Sequence, residues 1–265
     1  MDRTSRIALG MLMLGLGAAH AAPQDENLYE LDTATQKAPA AGSGLEAMLG
    51  SLQVRACVRS DVAPFGAFTG TRLEGFDIDL ASEIATQISI DYKAALRVEW
   101  VVVDADERVK HLADGGCDIL VADLSYTKER AEKIGTSKVY LRTDKVLVAA
   151  AKVTRKVPVI ARLAGATGDA GDVKGTTRDF RTYQEIVRAM DAGEVDYVVT
   201  DRPIAGHLIR SSIGSFQIKK TLAENAESYV VGVGKTHPEL LEAVNRALED
   251  LAHSGRLGLI ARRWL

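Results

Sequence analysis

Four short strings gather the residues of this chain best suited to chemistry. They are Arg59-Ser-Asp-Val-Ala-Pro-Phe65, Gly75-Phe-Asp-Ile-Asp-Leu80, Ser125-Tyr-Thr-Lys-Glu-Arg130 and Gly193-Glu-Val-Asp-Tyr-Val-Val-Thr-Asp201. Their reactive groups are arginines, acids and hydroxyls. Such groups can hold a small charged solute. A free amino acid, with carboxylate and ammonium about 3 Å apart, needs a fixed cation near a fixed anion and dipoles for the remaining lone pairs. Read alone, Arg130 is a solvated charge in Lys128-Glu-Arg-Ala-Glu-Lys133, and Asp201 is a helix N-cap. The five histidines (20, 111, 207, 237, 253) form no metal-spaced pair, so no metal site is expected. The Gly-rich 168–175 run lacks phosphate-loop spacing and reads as a loop. Cys57 and Cys117 have no partner that suggests nucleophilic catalysis.

The elements that would position these groups alternate. Strands are expected at 52–58, 97–103, 117–122, 145–150, 196–200 and 228–234. Helices are expected from Asp79, over 106–114, 183–192 and 202–211, and over 238–253, where Leu240, Leu241, Val244, Leu248 and Leu251 form one apolar face. Pro203 fits only a first helical turn. A short helix should close the chain at Trp264. Val157 to Ala164 is ambiguous between strand and helix. Gly175-Thr-Thr177 reads as a turn. The alternation implies an α/β fold built from parallel βαβ units.

The composition is globular: 265 residues, 46% hydrophobic, 26% charged, formal net charge −3. That balance excludes a generally basic nucleic-acid binder. Two cysteines exclude a disulfide-rich scaffold. Residues 1–21 read as a cleavable export signal: Arg3 and Arg6, then an apolar run from Ile7 to Ala19, then Ala19-His-Ala21. The run is too short to span a bilayer. Residues 22–44, rich in Ala, Pro, Gly and polar groups, read as a flexible leader. In neighbouring parallel strands, Cys117 would sit several residues below Cys57. That is beyond bridging distance, so two buried thiols are expected.

The four strings, in this order and spacing, resemble the periplasmic solute-binding proteins of ABC importers, in particular the polar amino-acid binding family. The likeness runs from about residue 45 to the end, where Ser254-Gly-Arg-Leu-Gly-Leu-Ile-Ala-Arg-Arg-Trp264 also matches. The resemblance implies a two-lobed periplasmic-binding-protein type II fold with two hinge crossings, which trap ligand between the lobes. Lobe 1 would be 45–148 plus 234–265, and lobe 2 149–233. The crossings would lie near Val146–Ala150 and Val230–Gly234. Lobe 2 looks short, because relatives usually carry a further helix and strand between Thr177 and Tyr183.

The resemblance also implies the site. Arg130 matches the carboxylate-binding arginine, with Ser125 and Thr127 adding donors from lobe 1. Asp201 matches the ammonium-binding acid, and Thr177 the lobe 2 turn that meets the carboxylate. Arg59 and Arg108 match positions that carry arginine in the aspartate/glutamate-binding branch. Val62 stands where several relatives place a stacking aromatic. Asp123 stands where Asn, Ser or Gly is usual, and could pair with Arg59 or recognise a basic ligand group. The expected protein is a periplasmic monomer that is not an enzyme, needs no cofactor, binds an amino acid of acidic type and delivers it to an inner-membrane permease. Two alternatives use the same fold. A cyclohexadienyl dehydratase would carry Glu three residues after Asp201, where this chain has Ile204. A sensor or redox-partner accessory would bind without import.

Overall fold

The computed structural model describes residues 38–212 and 215–265. The expected export signal and residues 22–37 of the expected leader lie outside them. The described residues take part in the first lobe ahead of the boundary expected at residue 45. The Ala40 N–H donates to the Glu239 carboxylate at 2.9 Å, and the Ser43 hydroxyl accepts from the Glu46 N–H to cap α1 (Gly44–Ser51).

The first lobe continues with β1 (Gln53–Val58). A small antiparallel flap of β2 (Asp61–Val62), β3 (Gly66–Thr69) and β4 (Arg72–Glu74) leads into α2 (Phe76–Tyr92). Gly75, at the entry to α2, has φ +146°, and a Cβ there would lie 2.2 Å from the Phe65 carbonyl oxygen. Only glycine lets the flap close this tightly. Then come β5 (Arg97–Val102), α3 (Arg108–Ala113), β6 (Ile119–Leu120), α4 (Lys128–Lys133) and β7 (Gly135–Thr136).

The chain crosses into the second lobe as β8 (Leu141–Ala149). There follow β9 (Val159–Leu163), β10 (Thr176–Phe180), α5 (Tyr183–Asp191), β11 (Tyr197–Asp201), α6 (Arg202–Ser211) and β12 (Gln217–Tyr229). It returns as β13 (Gly232–Val233) and ends in α7 (Pro238–His253) and α8 (Arg256–Trp264). One five-stranded sheet runs β5-β1-β6-β13-β7, the other β10-β9-β11-β8-β12. In the first sheet β1 is parallel to β5 and β6, while the returning β13 is antiparallel to β6 and β7. In the second, β9 is parallel to β10 and β11, while β8 is antiparallel to β11 and β12.

The sheets move the expected lobe boundaries. β8 belongs to the second sheet from Leu141 and β12 remains in it to Tyr229, so the crossings lie near 137–141 and 229–232. The strand ladder explains why: Leu141 pairs with Tyr229, and the two crossing strands travel together. Val159–Leu163, ambiguous in sequence, is an interior strand of the second sheet. In the second sheet the connection between β9 and β10, residues 164–175, runs without a helix or strand.

The cysteines correct an expectation. Cys57 and Cys117 are joined in a disulfide, with Cα atoms 5.8 Å apart. Cys57 pairs with Leu120 in the β1–β6 ladder. Along a straight strand, three residues of offset would separate the Cα atoms by ~11 Å. But β6 is only two residues long. Cys117 precedes it, leaving the Gly115-Gly116 turn, where Gly115 has φ +79°. The chain folds back toward β1 there, and both sulfurs share an apolar cluster with Val103, Leu112 and Leu124.

Candidate ligand cleft

Of the expected site residues, Arg59, Arg108, Asp123, Ser125, Thr127 and Arg130 come from the first lobe, and Asp201 and Thr177 from the second. Arg130 lies in α4, whose N-cap is Thr127, with the Thr127 hydroxyl accepting from the Arg130 N–H at 3.1 Å. That hydroxyl is therefore occupied in holding the helix that carries the arginine. The Arg130 guanidinium donates to the Ser125 carbonyl at 2.7 Å and, across the lobes, to the Gly165 carbonyl at 2.8 Å. Gly165 has φ +74°, and a Cβ there would lie 2.5 Å from the Ala105 carbonyl oxygen. Glycine thus allows the second lobe's loop to press onto the first lobe's backbone.

Thr177 does not join this group. It is exposed on β10, the outer strand of the second sheet, in register with Ile160. The hydroxyl that meets the cleft is Thr167. Its Oγ1 lies 3.2 Å from the Ser125 hydroxyl and donates to Glu227 at 2.7 Å. Sequence reasoning singled out the glycine–hydroxyl turn ten residues later, at Gly175-Thr-Thr177. The available signal was Gly165-Ala-Thr167, directly after the apolar Val157–Leu163 run.

Arg59 is fully buried and fully engaged. It makes two hydrogen bonds to Asp61, at 3.0 and 2.9 Å, and reaches Asp123 at 3.3 Å. Burial alone would lower its pKa, but Asp123 and Asp61 outweigh that and hold it above the usual value. Of the two roles open to Asp123, pairing with Arg59 is the one present. Arg59 is not a spare cation for a ligand. Asp123 has φ +42°, and its N–H donates to the Asp77 carboxylate at 2.6 Å.

Arg108 differs. It is 2% exposed, its nearest carboxylate contact is Asp123 at 4.0 Å, and its Nε and Nη1 have no hydrogen-bond partner. Burial, and then the like charge of Arg59, lowers its pKa. Arg130 is pushed down to about 10 by burial and then by the like charge of Arg108. Arg130 remains protonated at neutral pH. Both shifts have the same cause, cations crowded away from water, which an anion would relieve.

Asp201 ends β11 and opens α6, where Pro203 lies in the first turn. Both its oxygens are taken. Lys145 Nζ donates to Oδ1 at 2.8 Å, and the Tyr229 hydroxyl donates to Oδ2 at 2.6 Å. Burial raises its pKa against the opposing pull of Lys145 and Tyr229. Lys145 also meets Glu227 at 3.3 Å. At Glu227 burial acts upward, but Lys145 and the hydroxyls of Ser125 and Thr167 prevail and lower the pKa. Lys145, Glu227 and Thr167 join this cluster, and sequence reasoning missed all three. Lys145 sits in a run that reads only as strand. Val62 is buried at the end of the flap, and Phe65 packs at 5.3 Å centroid distance on Tyr229 beneath the site.

Asp77 gives a pH-dependent expectation. Burial first and Asp123 second push its pKa up to about 8. The folded protein therefore holds a proton there between pH 4 and 8 that the unfolded chain has released. Stability should fall as pH rises through that window, by at most about 1.4 kcal/mol per pH unit. Asp77→Asn should flatten that part of the profile in urea titrations at pH 5 and 8. Equal slopes in the two proteins would mean that Asp77 is ionised throughout.

This geometry has known counterparts. Residues 54–265 match the family model of bacterial extracellular solute-binding proteins, family 3. The chain belongs to that family. It is 27% identical over 231 residues to the ABC transporter glutamine-binding protein GlnH of Bacillus subtilis (strain 168), covering 78% of this chain and 82% of that protein. It is 23% identical to the arginine-binding extracellular protein ArtP of the same strain, covering 77% and 83%. Among solved structures, an ancestral arginine-binding protein bound to arginine superposes with a TM-score of 0.72 at 26% identity, covering 80% of this chain and 98% of that one. The two-lobed α/β fold is that of this family. Among the described residues no helix is long and apolar enough to cross a membrane, and no cluster of His, Cys, Asp and Glu could hold a metal ion.

Proposed function

We propose that this family 3 solute-binding protein captures a small carboxylate between its lobes, with a preference for ligands carrying a second acid group, and delivers it to an inner-membrane ABC permease. The observation that carries this reading is the pair of crowded guanidinium groups. Arg130 bonds only to backbone carbonyls among its described contacts, and Arg108 keeps two buried donors without partners. One ligand carboxylate on Arg130 and another on Arg108 would satisfy both. Arg59, spent on Asp61 and Asp123, leaves the proposed site; so does Thr177. Export to the periplasm fits the relatives, one of them named an extracellular protein, and the buried disulfide fits an oxidising compartment. The dehydratase alternative lacks its acid: three residues past Asp201 stands Ile204, buried in α6.

The test uses protein beginning at Ala22, stripped of ligand by unfolding and refolding. Titration by calorimetry with glutarate, succinate, 2-oxoglutarate, glutamate and aspartate should show saturable binding of at least one diacid. Arg130→Ala should weaken it at least 30-fold, about 2 kcal/mol or more. Binding that ignores this substitution, or no response to any carboxylate, would overturn the reading.

A further inference from the structure

We propose that Lys145 fills the ammonium position of the cleft from within, so that the ligand is a 2-oxo or 2-hydroxy acid and not an α-amino acid. This rests on the carboxylate reading above and narrows its substrate class.

An α-amino acid brings its own cation, and the cleft must offer an anion to meet it. The acid in position to do so is Asp201, at the end of β11. Its two oxygens are committed to Lys145 Nζ at 2.8 Å and the Tyr229 hydroxyl at 2.6 Å. The second acid nearby, Glu227, is committed to the same ammonium at 3.3 Å and to the Thr167 hydroxyl at 2.7 Å. Lys145 is 2% exposed. It is also fixed by the strands: in the β8–β11 ladder Lys145 stands directly opposite Asp201. The loop after Thr167 packs on its stem, since a Cβ on Gly168 would lie 2.7 Å from Lys145 Cε. The lysine cannot swing aside without leaving two buried carboxylates with hydroxyl donors alone.

A ligand ammonium would therefore arrive beside a resident ammonium, in a site shielded from water, where both acids are already paired with that resident cation. A ligand with oxygen at that carbon meets the opposite situation. A lysine has three donors. Asp201 and Glu227 take two, which leaves the third for a carbonyl or hydroxyl oxygen on the ligand's second carbon. The ligand's carboxylates keep their places on Arg130 and Arg108. A closed cleft with a charged partner at each end then recognises the acid and its 2-oxygen together.

The test compares matched ligands by calorimetry on the stripped protein: 2-oxoglutarate, 2-hydroxyglutarate and glutamate, then oxaloacetate, malate and aspartate. Within a set, the oxo or hydroxy acid should bind at least tenfold more tightly than the amino acid. Lys145→Gln, checked for its disulfide and its circular dichroism, should cut that ratio at least tenfold by weakening the oxygen ligands and admitting the amino acids. An amino acid that binds the unaltered protein as tightly as its oxo and hydroxy counterparts would overturn the proposal, as would an unchanged ratio in a folded Lys145→Gln protein. Should that variant not fold, the ratios in the unaltered protein decide. The carboxylate reading fails separately, when no member of either set binds or when Arg130→Ala leaves the binding intact.

Discussion

Reduction of the Cys57–Cys117 disulfide is expected to lower the stability of the protein by about 4 kcal/mol, the loop-closure value for so long a loop. The bond closes 60 residues of chain. That loop contains the flap, α2, β5 and α3, most of the first half of lobe 1. Cross-linking it restricts the unfolded chain far more than the folded one. The bond also ties β1 to the turn that launches β6, and six residues further on that chain reaches Asp123. Asp123 holds Arg59 and sits 4.0 Å from Arg108. Loss of the bond should therefore loosen the cation end of the cleft as well as the lobe. Urea titrations of the protein with and without reductant should show the difference, and a Cys57→Ala/Cys117→Ala variant should match the reduced protein. Equal midpoints under both conditions would show that the apolar cluster alone sets the geometry.

The same loop shows where a sequence is legible and where it is not. The α/β alternation, the long amphipathic α7 and the closing α8 follow from periodicity and punctuation, which are local properties. Arg130 and Asp201 could be found because each sits in a string that resembles a family pattern. The disulfide was missed because the argument assumed an extended strand through Cys117, while the chain forms only the two-residue β6 and bends before it. Thr177 stood out because Gly175-Thr-Thr177 reads as a glycine–hydroxyl turn, a signal that Gly165-Ala-Thr167 carries more weakly. Only the sheet register puts the first on an outer strand and the second in the cleft. Lys145 was invisible for a different reason. One lysine in Leu141–Ala149 reads as an exposed position on a strand. Its partners Asp201 and Glu227 lie 56 and 82 residues away in sequence, and pairing at that distance leaves no local trace.

Removing either partner of the Lys145–Asp201 pair should be costly, and removing both much less so. Lys145→Met leaves Asp201 and Glu227 as buried carboxylates with hydroxyl donors alone. Asp201→Asn leaves the lysine with Glu227 at 3.3 Å and breaks the stronger contact. Truncating one partner of a buried ion pair typically costs about 3–5 kcal/mol, because the remaining charge has lost its compensation in a medium that solvates it poorly. The expected values are near the top of that range for Lys145→Met, which strands two acids, and near the bottom for Asp201→Asn, which strands none completely. In the double variant the two penalties should not add, and the coupling should be at least about 1.5 kcal/mol, beyond what independent sites show. The measurement is a double-mutant cycle in urea at neutral pH, without ligand. Its outcome also bears on recognition. A strong coupling means that the ammonium of the cleft is built into the protein and stabilises the fold before any solute arrives. Additive penalties would mean that Lys145 and Asp201 are independent in solution, and that Asp201 is free to receive an ammonium from the ligand.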